Sequence, residues 1–409
     1  MATGGDGTTG SGLRLYDTAA GAVVPVGPSA EEDREATMYV CGITPYDATH
    51  MGHAFTYLTF DLVNRVWRDM GIGVRYAQNV TDVDDPLLER AAQTGVDWEE
   101  LAAGEIDVFR SDMEALRILP PDSYLSVSES IPTIHDFLVD LREKGQIYQI
   151  DDAFPDWYFP FDGHPGFGEE SHLTPAEMVP VFAEHGGDPE RPGKRHPLDS
   201  LVWRQARPGE PAWESDLGRG RPGWHVECAA IACATLGTDI DIQGGGADLV
   251  FPHHEMCAVQ ARAVTGEPFA RAFVHSAMVS LDGEKMSKSR GNLVKVSQLV
   301  GAGADPMAVR LALLAHHYRA DWEWTSRTLP DADERLALWR RAVQGRTSVD
   351  VEPAAREVRA LLRDDLHADE ALGVIDRWAR ESLAATGDFP GSRARMAGLA
   401  DLLLGVAVA

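Results

Sequence analysis

Lysine is almost missing from this sequence: five occur among 409 residues, against thirty-two arginines. Basic charge is short altogether, with 37 basic and 64 acidic side chains and a formal net charge of −27. Such a chain repels a phosphate backbone, so no nucleic-acid partner is expected. Long apolar runs are missing too: none approaches the roughly 18 residues that a membrane helix needs. Residues 1–12 are rich in Gly and Thr rather than basic and then apolar, which predicts no secretory leader and points to the cytoplasm, with no membrane partner. The four cysteines, Cys41, Cys228, Cys233 and Cys257, are too few for a disulfide framework, and burial or metal ligation is their expected use. No Gly-x-x-x-x-Gly-Lys-Ser/Thr loop occurs, which removes the P-loop reading.

What is present is ordinary for a globular protein, 44% hydrophobic and 25% charged, and the length suggests two to four domains. Residues 36–41 read as a strand broken by Gly42. Phe55, Leu58, Leu62, Val66 and Met70 then recur at helical spacing, with Gly71 as the stop, and residues 73–80 read as a second strand. Strand, helix, strand opens a parallel α/β sheet of Rossmann-like type. Residues 84–118 have helical patterns. Pro155, Pro160, Pro165, Pro175 and Pro180 predict an insertion of short elements up to about residue 200. Strands at 199–203 and 238–243, a helix over 224–236 and a glycine loop at Gly244-Gly245-Gly246 follow. Beyond Asp305 the pattern is helical. The expected organisation is a tail (1–12), a first half of a nucleotide-binding domain (13–120), an insertion (121–200), a second half (201–280), a lysine-loop region (281–315) and a C-terminal helical domain (316–409).

Three groups of residues suggest chemistry. His50-Met51-Gly52-His53 opens the first helix, where free backbone N–H groups and the helix dipole favour an anion; two incidental capping histidines are the other reading. Three of the five lysines fall in one stretch, with Lys285 and Lys288 on a glycine-flanked segment ahead of Lys295. Two ammonium groups there could close over phosphates, or form a solvated basic turn. Cys41, Cys228 and His253 each stand beside the end of an element, as metal ligands do, although their spacing alone equally fits buried structural cysteines. The acidic run Asp82-Val83-Asp84-Asp85 reads as a solvated face.

Taken in order, Tyr39-Val40-Cys41-Gly42-Ile43-Thr44, His50-Met51-Gly52-His53, Gly223-Trp224-His225-Val226-Glu227-Cys228, residues 244–254 and residues 285–292 resemble the cysteinyl-tRNA synthetase group of class I synthetases. That resemblance implies that His50, His53, Lys285 and Lys288 act on ATP, which enters with Mg²⁺. It also implies one Zn²⁺ per chain on Cys41, Cys228 and His253, binding L-cysteine. Cys41, Gly42, Ile43, Thr44, Thr56, Asn79, Val80, Thr81, Trp224 and Val279 would line the aminoacyl-adenylate, and Gly246, Ala247 and Asp248 its adenosine.

The departures from that group are informative. After His253-His254 the family pattern ends in a glutamate near the zinc, whereas this chain has Cys257. Residues 316–409 hold thirteen arginines, no lysine and sixteen acids, a net of −3, unlike a basic anticodon-binding module. Thr44-Pro45-Tyr46 and Glu184-His185-Gly186-Gly187-Asp188-Pro189 resemble instead the mycothiol-pathway branch of the group. In that branch a ligase joins cysteine to the amine of glucosaminyl-inositol. The expectation is therefore an AMP-forming, ATP-dependent amide ligase acting as a monomer. A cysteinyl-tRNA synthetase with a reduced C-terminal domain, or a non-catalytic zinc-binding sensor of cysteine or ATP, are the alternatives.

Overall fold

The computed structural model describes residues 12–29, 31–46, 49–281, 283–286, 293–345, 347–387 and 389–408. A hairpin, β1 (Leu13–Asp17) and β2 (Ala22–Val26), precedes the expected strand–helix–strand unit of β3 (Ala36–Val40), α1 (Met51–Asp69) and β4 (Val74–Val80). Then come α2 (Asp85–Thr94), α3 (Trp98–Ala115), β5 (Ser123–Ser126) and α4 (Ile131–Glu143). The proline-dense stretch holds β6 (Tyr148–Gln149), β7 (Trp157–Phe159), α5 (Pro175–Glu184), β8 (Ser200–Gln205) and β9 (Gly220–Pro222). Its four strands form a small antiparallel sheet of their own. The chain returns through α6 (Trp224–Leu236), β10 (Ile242–Gly246), α7 (Glu255–Thr265) and β11 (Phe273–Ser276). It ends in β12 (Val279–Leu281), β13 (Glu284–Lys285), α8 (Val296–Gly301), α9 (Pro306–Leu314), β14 (Trp322–Trp324) and the helices α10 (Thr328–Gln344), α11 (Glu352–Arg363), α12 (Ala368–Ala384) and α13 (Ser392–Leu404).

The central sheet is parallel throughout, in the order β11-β10-β3-β4-β5. The chain runs outward from β3 through β4 to β5, then comes back to the opposite side of β3 as β10. The winding direction therefore reverses between β3 and β10, which is where open α/β sheets form a ligand crevice beyond the carboxyl ends of their strands.

Helix α1 covers this sheet and is itself covered by the C-terminal helices, so it is buried on nearly every side. That explains its polar interior. Asp61 is fully enclosed and pairs with Arg65 at 2.8 Å and with the equally buried Arg310 of α9. Arg310 also donates to the carbonyls of Leu116 and Leu404. One residue thus ties α3, α9 and α13 to the sheet-covering helix.

Two local expectations are corrected. Gly244-Gly245-Gly246 is the strand β10 itself and not a loop after it. A Cβ on Gly244 would lie 2.3 Å from the Phe60 ring of α1, so the glycines let helix and strand approach, and strand propensity yields to packing. The acidic run is solvated only at its end, where Asp85 is exposed. Asp82 is buried and accepts from Ser128 N and Oγ, and Asp85 pairs with Arg204 and Arg221.

Candidate functional site

The crevice at the switch point is built from strand ends. At the end of β3, Cys41 and Ile43 are buried, while Gly42 and Thr44 are partly open. Gly42 lies so close to β4 that a Cβ there would sit 1.6 Å from the Asn79 carbonyl oxygen, so no other residue fits without moving the strand. The Asn79 side chain accepts from Gly42 N at 2.8 Å and from the Tyr39 hydroxyl at 3.1 Å, and donates to Thr81 Oγ1. Asn79, Val80 and Thr81 are thus enclosed and hold the β3 end in place. Across the crevice, Thr56 Oγ1 is 2.7 Å from Ser276 Oγ at the end of β11. The Cβ position of Gly246 is 2.7 Å from Asp248 Oδ1 and 3.7 Å from Thr56 Oγ1. Ala247 and Asp248 are exposed, and Val279 is buried in β12.

Cys41, Cys228 and His253, separated by up to 212 positions in sequence, meet here: their ligand atoms all lie within 4.8 Å of one another, and all three are buried. Strand β3 leads into Cys41, α6 delivers Cys228 in its first turns, and a kinked segment, Val250–His254, delivers His253. The neighbouring Cys257 and Cys41 thiols and the His253 imidazole hold the Cys228 thiol well below the ordinary value, while burial pushes Cys41 and Cys257 up. Two cysteine sulfurs and an imidazole that close together could hold a metal ion, and they are donors that zinc accepts. Cys257 lies beside the group, its sulfur 3.8 Å from His253 Nε2, but it donates to the His225 carbonyl at 3.1 Å. Trp224 stacks on the His253 ring, with centroids 4.2 Å apart.

The His50 and His53 rings stack at 3.9 Å at the start of α1, with His50 capping the helix by accepting from Gly52 N at 3.1 Å. Val294 and Lys295 reach this point. Lys295 bridges His50 in antiparallel fashion, and Met51 N donates to the Val294 carbonyl at 2.9 Å. At the other end of the stretch, the backbone of Lys285 pairs with Ser280 in β12. Lys288 lies outside the described residues.

Several residues around the site carried no signal of their own in the sequence. His225 places Nδ1 3.1 Å from His253 Nδ1. Tyr57 donates to the Cys41 carbonyl at 3.1 Å, and Glu227, beside Cys228 in sequence, is buried and pushed well up by its burial. His225 and Glu227 fall inside a quoted motif, so a motif read residue by residue could have found them; Tyr57 looks like one more helix-core aromatic.

Residues 28–334 match the family of class I (C) tRNA synthetase catalytic domains. The chain is 58% identical, over 97% of its own length and 94% of the relative's, to the L-cysteine:1D-myo-inositol 2-amino-2-deoxy-alpha-D-glucopyranoside ligase of Thermomonospora curvata. It is likewise 58% identical to the ligase of that name from Thermobifida fusca, over 98% and 95% of the two chains. Among solved structures, Mycobacterium tuberculosis methionyl-tRNA synthetase bound by methionyl-adenylate superposes with a TM-score of 0.66 at 16% identity, covering 92% of this chain and 93% of that one. The leucyl enzyme of Agrobacterium radiobacter, in its ternary complex, superposes at 0.62 with 12% identity, covering 93% and 85%. These likenesses establish the class I synthetase fold.

Proposed function

The chain belongs to the class I (C) tRNA synthetase catalytic-domain family and, within it, to the L-cysteine:1D-myo-inositol 2-amino-2-deoxy-alpha-D-glucopyranoside ligases, and as an ATP-dependent ligase of that kind we propose that it works in two steps. In the first, the carboxylate of L-cysteine attacks the α-phosphate of ATP and diphosphate leaves, forming cysteinyl-adenylate. In the second, the amine of glucosaminyl-inositol attacks the acyl carbon, an amide forms and AMP leaves.

What supports this reading is the convergence of Cys41, Cys228 and His253 beside the end of β3, together with the stacked His50 and His53 at the start of α1, where Lys295 pairs with His50. Phosphoryl substitution needs positioning and charge stabilisation more than a protein nucleophile. His50 and His53 at a helix start supply donors to the polyphosphate, and Lys285 and Lys288 neutralise the charge that builds on the leaving diphosphate. ATP brings its own Mg²⁺. Cys41, Cys228 and His253 would hold zinc, which would supply the Lewis acidity that favours a substrate thiol as thiolate. Thr56, Asp248 and Gly246 border the adenosine, and Trp224, stacked on His253, walls the cysteine side. Discrimination against serine follows from the softer, more acidic thiol, without an editing domain. With a net of −3 over residues 316–409, the C-terminal helices offer no footprint for tRNA.

Purified protein is incubated with ATP and labelled cysteine, with either glucosaminyl-inositol or tRNA as acceptor. Label is expected in the aminosugar only, and pyrophosphate should exchange into ATP only with cysteine present, serine being at least ~100-fold poorer. Label on tRNA and none on the sugar would overturn the acceptor, and exchange without any amino acid would overturn the adenylate step.

A further inference from the structure

A cavity of about 650 Å³ lies between strands β4 and β5 and helices α1 and α3, a volume typical of small-molecule sites. Its walls are aromatic: Tyr57 of α1, Tyr76 of β4, Phe109 of α3 and Tyr124 of β5. The Phe109 and Tyr124 rings are parallel to within 6°, with centroids 6.5 Å apart. Tyr57 meets Phe109 edge-on, at 5.1 Å between centroids, and holds that ring in position. Such walls present flat π faces in one orientation, on which a planar aromatic group packs by offset stacking.

Two polar atoms on these walls are left over. Gln78 is 3% exposed, and the Tyr76 hydroxyl donates to its Oε1 at 2.9 Å, but its Nε2 has no partner among the described residues. The Tyr124 hydroxyl is likewise enclosed and without a partner there. Gln78 and Tyr124 are register partners on the adjacent strands β4 and β5, so they stand side by side on one face of the sheet. Buried amides and hydroxyls are costly when unpaired, and an oxygen acceptor brought to this face would meet both. Charge is offered at the rim. Arg65 and Arg117 pair with Asp61 and Asp401, whereas the exposed Arg110 lies over the Tyr124 ring at 4.8 Å and has no carboxylate partner among the described residues. The one carboxylate of the lining, Glu114, is exposed to water.

We propose that this cavity is a second ligand site, for a planar aromatic carboxylate. The ring body packs against Phe109 and Tyr124, and an oxygen at its inner end accepts from Gln78 Nε2 and the Tyr124 hydroxyl. The carboxylate pairs with Arg110 at the mouth, where the hydrogen bond is charge-assisted. Tyr57 lines the same cavity and donates to the Cys41 carbonyl, so the occupant lies one side chain away from the end of β3. The proposal is independent of the acceptor and of the adenylate step.

The probe is 6-hydroxy-2-naphthoate, a planar ring pair with a hydroxyl at one end and a carboxylate at the other, titrated calorimetrically into the full-length protein. Saturable binding of one molecule per chain is expected, unchanged when ATP is present at saturation. Affinity should fall about 10-fold for 2-naphthol, which lacks the carboxylate, and about 10-fold for the naphthoate in Arg110→Glu and in Gln78→Leu. Arg110 is exposed, so Arg110→Glu decides the matter if circular dichroism shows that Gln78→Leu has not folded. No saturable binding by the wild type, displacement by ATP, or wild-type affinity in either folded variant overturns the site.

Discussion

His225 Nδ1 lies 3.1 Å from His253 Nδ1, with both rings buried. Only one of those nitrogens can carry the shared proton. With the proton on His253, His225 accepts it, and the far nitrogen of His253, on the side of the Cys257 sulfur, is left free as a metal ligand. The residue that sets the tautomer thus comes from α6, three positions before Cys228, so the same helix supplies a ligand and the partner of another ligand.

His225→Ala should therefore weaken zinc binding about 10–100-fold while leaving the fold intact, as loss of an outer partner typically does. Competition against a chromophoric chelator measures it. Unchanged affinity would mean that the two rings merely pack. Cys257→Ala should leave zinc content unchanged, because the ligand atoms of Cys41, Cys228 and His253 converge without it.

Gly244→Ala should destabilise by about 1–3 kcal/mol, since the added methyl meets the Phe60 ring at the α1–β10 contact. Phe60→Leu in the same chain should return part of that loss. Urea unfolding of both single variants and the double tests the coupling; strictly additive effects would refute the contact.

Asp61→Ala should cost about 3–5 kcal/mol, because it strands the fully buried Arg310 and its neighbour Arg65 without a counter-charge. Denaturant unfolding reads this directly. A loss below about 1 kcal/mol, the scale of an exposed pair, would show that water reaches the arginines.

Asp112 should contribute a loss of stability as the pH rises from about 4 to about 6, because burial carries its carboxyl from the ordinary 3.8 up to about 6. In that window the unfolded chain has released a proton that the native state retains, so the native state loses ground with rising pH and the deficit is complete above the folded value. Asp112→Asn should remove this component and be the more stable protein at pH 7. Melting temperatures of the two proteins across pH 3–8 check it, and parallel curves would rule it out.

Much of the architecture was legible along the chain. The helical spacing of Phe55, Leu58, Leu62, Val66 and Met70, set between two short apolar runs, encodes β3, α1 and β4 because alternation and the 3.6-residue period are local properties of the chain. The order of the motifs carried the family for the same reason: each is a short local segment. The sequence alone therefore determined the fold class, the synthetase kinship and the acidic character that argues against a tRNA acceptor.

Only the tertiary structure decided which side chains meet. Nothing in the spacing of Cys41, Cys228 and His253 brings them together, since that depends on β10 returning beside β3. Nothing near Gln78 announces Tyr57 and Phe109, which reach the same cavity from two different helices. The triple glycine read as a loop because glycine's local preference is for turns, and it became a strand because Phe60 of α1 leaves no room for a side chain. Of the acidic run read as solvated, Asp82 became buried because Ser128 arrives from a distant segment to satisfy it, while Asp85 stays exposed in its pairs with Arg204 and Arg221. Ligand sets and buried polar pairs are made by long-range contacts, and a local pattern holds no record of the partner.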